Sequence, residues 1–470
     1  MDAFNNQGLF TPGSGQLDML RKALALNKSL EVGQGAPWSG EGGFALIPQA
    51  LQPTLAVATA KLKHIRFYKA LPKPDNDVVS PFVEYTRQTE IGSDLDPFVS
   101  EGGVPQTDNS VFERLFARVK YAATRRSVTD IMAQATTLGG LTPSAMNAVE
   151  IETLNGLIYL LKQMDKSLFW ADSDANPLAW DGIFKAVLDA APENDFDLRG
   201  DMMTPEKIQD IAAVMTEEGR YAMPDNLWMP PTVRNDLGKL ASQRLTYGLA
   251  NDGSEIQVVP KAIDVGNDVP ISFETDIFLK LPILRDETGA GDQIPATPAI
   301  ASLTANDNAD KFEFADDEQG TYWYKVVAFT SRGKSAASQA VSVDNTGHTR
   351  VDVTITPNSS LPAGSYFKVY RTALNAGETS KYYLIGQIAA NGNQAVVFHD
   401  DNKIIAGTEN AVMIEMQPEV IQFRHILPPV RLPLARVGLE LPFMIVAFGM
   451  PIYELPTKIA LIRNIGRVTG

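Results

Sequence analysis

Gly333-Lys334-Ser335 has the residue types that end a phosphate-binding loop, in which backbone N–H groups and a lysine hold a phosphate. The complete motif needs glycine five residues earlier, where this chain has Ala328, and a passage from strand to helix. Strand pattern lies on both sides here, so a hairpin turn is expected. Gly13-Ser14-Gly15 likewise has Asp18 where a dinucleotide fingerprint requires glycine. The four histidines, His64, His348, His399 and His425, are scattered without the spacing of a catalytic zinc site. Asp400-Asp401-Asn402 offers oxygen ligands suited to calcium, but it follows a strand pattern ending at His399 and is expected to be an exposed turn. No Gly-x-Ser-x-Gly elbow marks a nucleophile. Arg125-Arg126 and Lys61/Lys63 are small basic clusters, expected to form solvated faces or subunit salt bridges. No catalytic, cofactor-binding or metal-binding residue is therefore assigned.

Composition narrows the classes further. The chain has 470 residues, 44% of them hydrophobic, enough to bury a large core in about three domains. Its 41 Lys and Arg against 56 Asp and Glu give a net charge of −15, which disfavours a sequence-reading nucleic-acid binder. Zero cysteines remove disulfides, thiolate nucleophiles and sulfur-ligated metals, so packing alone must hold the fold. The N-terminal residues Met1-Asp-Ala-Phe-Asn-Asn-Gln7 lack the basic start and apolar stretch of a signal peptide, and the expected location is the cytoplasm. Leu441–Tyr453 is apolar but interrupted by two prolines and a glycine and shorter than a membrane span, so a buried strand is expected.

The elements that would position such residues read as follows. An extended arm occupies 1–45, with one helical pattern at Gln16–Leu26, and a second helical stretch runs from Pro48 to Lys63. Strand patterns at Val78–Arg87 and Ser110–Tyr121, separated by an acidic Gly- and Pro-rich segment, predict a long hairpin reaching roughly 40 to 50 Å at about 3.3 Å per residue. Such a hairpin is marginal alone and is expected to lie on something else. Thr142-Pro-Ser144 opens a helix to about Ala171, with Ile151, Leu154, Ile158, Leu161, Met164 and Leu168 as one apolar stripe. Thr204 as cap, Pro205 in the first turn and Gly219 as stop predict another helix. Strands are expected at Asn226–Pro231, Ile256–Pro260, Val269–Phe273 and Lys458–Ile465, with a helix at Thr232–Leu245. The fold class is α+β. Between 286 and 411 the pattern turns all-β, centred on a hairpin over Thr321–Val343, which reads as a module inserted into an older fold.

Several pieces, in this order, resemble tailed-bacteriophage major capsid proteins of the Hong Kong 97-like fold. Gly42-Gly-Phe-Ala-Leu-Ile-Pro48 resembles the close of the N-terminal arm. Phe98-Val-Ser-Glu-Gly-Gly103, Phe112–Tyr121 and Arg126-Ser-Val-Thr-Asp130 resemble the extended loop, its returning strand and the entry to the peripheral domain. Ser144–Ala171 resembles the spine helix, Thr204–Leu240 the axial domain, and Phe443–Ile465 the closing strands. Within the insert, Tyr324–Ser335 and Tyr366–Thr372 resemble strands of immunoglobulin-like or fibronectin type III domains.

The resemblance implies a non-enzymatic shell subunit: arm 1–45, peripheral entry 46–70, extended loop 71–125, peripheral domain with spine helix 126–175, axial domain 176–285, inserted immunoglobulin-like domain 286–411 and closing strands 412–470. Its implied partners are copies of itself in hexamers and pentamers, a separate scaffold protein, a portal protein, minor or decoration capsid proteins, and packaged double-stranded DNA without sequence specificity, with no membrane. The expected location is the virion capsid, with assembly in the host cytoplasm. Candidate subunit-interface residues are Arg87, Glu101, Arg114, Arg118, Arg125 and Arg126. An encapsulin-like compartment and an adhesive or carbohydrate-binding immunoglobulin-like surface protein are the alternatives.

Overall fold

The computed structural model describes residues 61–467 apart from 75–79, 93–94, 97, 105, 133–147, 218, 245–260, 265–268, 310–311 and 437, with backbone alone at 241–244. The expected arm, the Gly42–Pro48 segment, most of the helix from Pro48, the Thr142-Pro-Ser144 start and the Ile256–Pro260 strand lie outside the described residues. The helices are α1 (Phe67–Ala70), α2 (Ala148–Trp170), α3 (Ile183–Ala190), α4 (Pro205–Thr216) and α5 (Pro231–Arg244). The first strands are β1 (Phe82–Glu90), β2 (Val111–Arg118), β3 (Lys120–Thr129), β4 (Asp195–Asp197), β5 (Asn226–Met229), β6 (Ala262–Ile263) and β7 (Ile271–Thr275). There follow β8 (Ala290–Gly291), β9 (Ala299–Asn306), β10 (Gly320–Thr330), β11 (Gly333–Lys334), β12 (Val341–Asn345), β13 (Arg350–Thr356), β14 (Tyr366–Arg371), β15 (Tyr383–Ala389) and β16 (Val396–Asp400). The chain closes through β17 (Glu409–Ile414), β18 (Ile421–Pro433), β19 (Glu440–Tyr453) and β20 (Ile459–Ile465).

A six-stranded sheet, ordered β4-β20-β17-β5-β7-β6, carries the body. The β20/β4 and β5/β7 pairs are parallel and the others antiparallel. Side chains alternate along its central strands, and both faces are covered. Trp228, Val412, Ile414, Ile459 and Leu461 join a core with α1, α2 and α3. Leu227, Met229, Ala411, Met413, Ala460 and Ile462 join a second core with α4 and α5. Burial on both faces is why these strands read as continuous apolar runs. The α4 expectation is met at its start: Thr204 Oγ1 accepts from the Lys207 N–H at 3.3 Å beside Pro205. The helix ends at Thr216, and Gly219 takes the left-handed conformation (φ +94°) just beyond it.

The long helix α2 spans about 35 Å at 1.5 Å per residue. Its expected apolar stripe is buried only in its C-terminal half, through Leu160, Leu161, Met164, Leu168 and Phe169. Leu154, expected on the buried face, is 43% exposed. Toward its N-terminal half the helix presses on the sheet ordered β18-β19-β3. A Cβ at Gly156 would stand 2.7 Å from Ile445 Cδ1 and 3.3 Å from Arg126 Cγ, so a larger residue there would push those side chains aside.

Two expectations about that sheet have different outcomes. Leu441–Tyr453 does form a strand, with Phe443, Ile445, Val446, Ala447, Met450 and Ile452 buried. The expected single strand Ser110–Tyr121, however, changes partner at buried Val119: 111–118 pair with β1, and 120–129 pair with β19 through contacts such as Arg126↔Phe443. Arg125 and Arg126 therefore lie on the three-stranded sheet β18-β19-β3, outside the two-stranded hairpin. The first arm also starts at Phe82, so the paired hairpin is about 30 Å long at ~3.3 Å per residue, shorter than expected.

Residues 286–411 form two antiparallel sheets. One is ordered β15-β14-β10-β11-β8 with β12 paired to β10; the other is β16-β13-β9. Tyr322, Tyr324, Val326 and Ala328 of β10 meet Val351, Val353 and Ile355 of β13 and Phe367 and Val369 of β14 in one apolar core between the sheets. Trp323 takes the opposite face, beside Val327, Tyr370, Tyr382 and Leu384. Gly333-Lys334 pairs back onto Thr330 and Phe329, a hairpin as expected.

Asp400-Asp401-Asn402 departs from the expected exposed turn. Arg371, fully buried, donates to Asp400 Oδ2 at 2.6 Å and also to Asn402 Oδ1 and the Ile404 carbonyl. Tyr324 OH donates to the same Asp400 oxygen at 2.8 Å. Asn402 Nδ2 reaches Glu318, which also receives Arg199 at 2.8 Å. Asp400 and Asn402 close around one buried guanidinium while Asp401 lies 3.9 Å from Arg350, demands that adjacent sequence does not reveal. No helix among the described residues is long and apolar enough to cross a membrane.

Candidate interaction surface

Among the described residues, the β1–β2 hairpin and its loop carry many of the exposed large apolar side chains. Alternation splits the hairpin into two faces. On the inner face, the cross-strand pairs Val83↔Ala117 and Tyr85↔Leu115 face the body, and Val83 joins Val119, Met450 and Ile452 in a small core at the base. The outer face carries Phe82, Phe112, Arg114, Phe116 and Arg118, all exposed, with Phe112 at 64% and Phe116 at 74%. The loop beyond adds Ile91, Phe98 and Val104, each more than 85% exposed. Each aromatic or branched side chain of this kind gains about 1.5–3 kcal/mol on full burial, so the monomer leaves a substantial driving force unused. The hairpin is a two-stranded sheet, and among the described residues neither outer edge is paired with another strand. Open edges with apolar faces call for a partner.

The expected interface residues separate on this frame. Arg87 pairs with Glu113 across the strands at 2.7 Å, and Arg114 pairs with Glu84. Arg118 lies 5.9 Å from the Phe82 ring. Arg87 and Arg114 thus pair across the hairpin, and Arg118 lies against a ring of the same hairpin. Glu101 is exposed in the loop, and Arg125 is exposed on β3. Arg126 instead turns onto α2, 3.8 Å from Glu152 and 5.4 Å from the Tyr159 ring centre. Phe112 and Phe116 lie on the same exposed strand face as Arg114 and Arg118.

Two buried carboxyls hold the segment that enters this body. Asp165 of α2 and Asp276 are at most 1% exposed. Asp165 accepts the N–H groups of Tyr68 (2.7 Å) and Arg66 (3.3 Å), and Asp276 those of Phe67 (3.1 Å) and Phe278 (2.7 Å). Burial, then the neighbouring Asp276 charge, pushes the Asp165 carboxyl up to about 8, and burial raises Asp276 as well. A side-chain hydrogen bond links the two carboxyls. Hydrophobic spacing along α2 gave no hint of Asp165.

The four histidines stay apart: His348 contacts Asp307, His399 contacts Asp352, His64 Nδ1 accepts from the Lys61 N–H, and His425 is elsewhere on β18. Among the described residues no group of three or more His, Asp or Glu side chains is placed to hold a metal ion.

Comparison with known proteins bears on what such a surface serves. No family model matches the chain. Over 93% of its length it is 25% identical to a protein of Enterococcus phage phiEF24C described as a major capsid protein, covering 94% of that relative. It is 23% identical to the major capsid protein of Staphylococcus phage S25-3, again over 93% of this chain and 94% of that one. The similarity thus runs through hairpin, body and the 286–411 region alike, and supports the expectation of a phage major capsid protein. Among solved structures, the capsid of a native GTA particle matches with a TM-score of 0.47 at 8% identity, covering 92% of this chain and all of that one. At that score the likeness adds no weight.

Proposed function

We infer that the protein is the major subunit of a phage shell: a structural, non-enzymatic chain that assembles with copies of itself into hexamers and pentamers around double-stranded DNA. The observation that carries this reading is similarity to phage major capsid proteins over nearly the whole chain. The exposed apolar hairpin supplies the physical complement, since a subunit that closes a shell needs contacts left open in the monomer. Many such contacts, each modest, become strong when closure multiplies them.

In this reading the fold is the Hong Kong 97-like type, residues 71–125 are the extended loop, 126–175 the peripheral domain with α2 as spine, and 176–285 with 412–470 the axial and closing parts. The two-sheet region 286–411 is an inserted immunoglobulin-like domain. A separate scaffold, a portal and minor or decoration proteins complete the assembly, which forms in the host cytoplasm and ends as the virion capsid. Packaged DNA is held without sequence specificity, consistent with a chain of net charge −15.

Electron microscopy of the protein expressed alone or with its scaffold tests the reading. Shells are expected from the full chain, and deletion of 91–109 is expected to leave a soluble chain without shells. Normal shells from the deletion, or no assembly under any condition, would overturn it. Particles filled with protein cargo and lacking DNA would favour the compartment alternative.

A further inference from the structure

A cleft of about 440 Å³ opens between α2, β3, the 171–180 segment and the β14–β15 strands, large enough for a small organic ligand. Its wall is rich in hydrogen-bond donors. Lys120 Nζ donates to the Pro177 carbonyl at 2.6 Å. Lys166 and Lys368 have no ion pair or hydrogen bond with any described residue; Lys368 only lies against the rings of Phe329 and Tyr366. Trp180 lines the same wall at 8% exposure, and its indole N–H has no hydrogen-bond partner among the described residues. The one carboxylate among the described wall residues, Asp172, is already engaged: Lys185 stands 3.6 Å away and the Asp174 N–H donates to it at 2.9 Å.

A buried donor without an acceptor is costly, and ammonium groups without a carboxylate also repel one another. Lys162 and Arg285 add to the positive field at Lys166, and Lys166 to that at Lys368. Burial, followed by these charges, lowers Lys166 to about 8 and Lys368 to about 7. An anion between them supplies both the missing charge and the missing acceptors. A phosphate monoester suits the place better than a single carboxylate, because it brings close to two negative charges and three acceptor oxygens to two ammonium groups and an indole N–H.

Aromatic side chains form much of the remaining wall, among them Tyr121, Tyr159 and Trp170. The two tryptophans are fixed by their neighbours. Trp170 stacks on Phe184 at 4.7 Å and donates Nε1 to the Phe278 carbonyl at 2.8 Å, and Trp180 meets Phe423 edge-on at 5.8 Å. Rings held in this way offer stacking surface to a flat ligand at little ordering cost.

We propose that this cleft binds a small phosphate ester of a planar ring, of the size of a nucleoside monophosphate, with its phosphate between Lys166 and Lys368 and its ring against the aromatic wall. Every residue of the site belongs to one chain, so binding does not depend on the shell reading.

Isothermal titration of the full-length chain tests this with adenosine 5′-monophosphate as the probe, and with adenosine and inorganic phosphate as its two halves. The ester is expected to bind at least about tenfold more tightly than either half. Lys166→Gln with Lys368→Gln is expected to weaken it by about tenfold or more, and Trp180→Phe, which keeps a ring and removes the N–H, by about threefold, with thermal melting confirming that each variant is folded. Between about pH 7 and about pH 9 the phosphate stays doubly charged while the two ammonium groups lose protons, so wild-type affinity is expected to fall and that of the double variant to stay level. No binding of the ester to the folded wild-type chain would overturn the proposal, as would unchanged affinity in the double variant. Inorganic phosphate binding as tightly as the ester would mean an adventitious ion only and would also overturn it. Retention of duplex DNA through Lys166 and Lys368, with no affinity for the ester, would reassign the lysines to the polymer and overturn it as well.

Discussion

The hairpin β1–β2 and the two-sheet region 286–411 are both antiparallel β-structure rich in aromatic residues, yet among the described residues only the second has its aromatic face covered. In 286–411, alternation sends Tyr324, Val326 and Val353 inward against one another, and the one guanidinium caught inside, Arg371, is met by Asp400, Asn402 and Ile404. In the hairpin the same alternation leaves Phe112 and Phe116 exposed, because among the described residues no second sheet lies over them. Strand pattern alone is therefore a poor guide to self-sufficiency. What differs is whether, among the described residues, a second sheet covers the apolar face.

That contrast is most severely tested at Arg371. Asp400→Ala leaves a fully buried guanidinium without its carboxylate and is expected to lower stability by about 3–5 kcal/mol in denaturant unfolding, if the region is a closed, self-satisfied unit. A loss under about 1 kcal/mol would show that water reaches Arg371 and that the two regions differ less than they look.

A smaller effect concerns the body on which both regions stand. Asp165 and Asp276 are raised above the ordinary carboxylate value, so the stability they contribute is full below about pH 4 and is lost as pH rises toward and through about 8. Melting temperature is expected to fall between pH 6 and pH 9. Asp165→Asn, which keeps an acceptor for the Tyr68 N–H and a donor toward Asp276, is expected to flatten that fall. Lys73, which faces Asp165 and moderates its charge, works in the opposite sense. An unchanged pH profile in the variant would remove the carboxyl pair as its cause.

The smallest expected change in stability is at the hairpin. Phe112→Ser with Phe116→Ser exposes nothing new and is expected to shift unfolding by no more than about 0.5 kcal/mol, while assembly, followed by sedimentation, is strongly reduced. Loss of monomer stability instead would show that these rings are covered within the chain.

Much of the body was legible from spacing. The α4 cap at Thr204, the short strand Asn226–Met229 and the closing strand Ile459–Ile465 follow from local chemistry, because capping and apolar runs act between near neighbours in the chain. The hairpin's existence was legible too, but its length was not: a strand pattern does not reveal that Val119 is where the chain exchanges one partner strand for another. The hairpin's surface was the least legible. Charges stand out in a sequence, yet Arg87 and Arg114 find partners across the hairpin, and alternation alone does not show which of its two faces stays exposed.

The sequence by itself determined the α+β class, the absence of thiol chemistry, the acidic balance and the order of most elements, since these depend on composition and on periodicities of a few residues. Only the tertiary structure decided that Asp400 and Asn402 close around Arg371, that Asp165 meets Asp276, and that Lys166 and Lys368 stand together without an acid. Those meetings join residues 29 to more than 200 positions apart, and burial sets how strongly each charge must be answered.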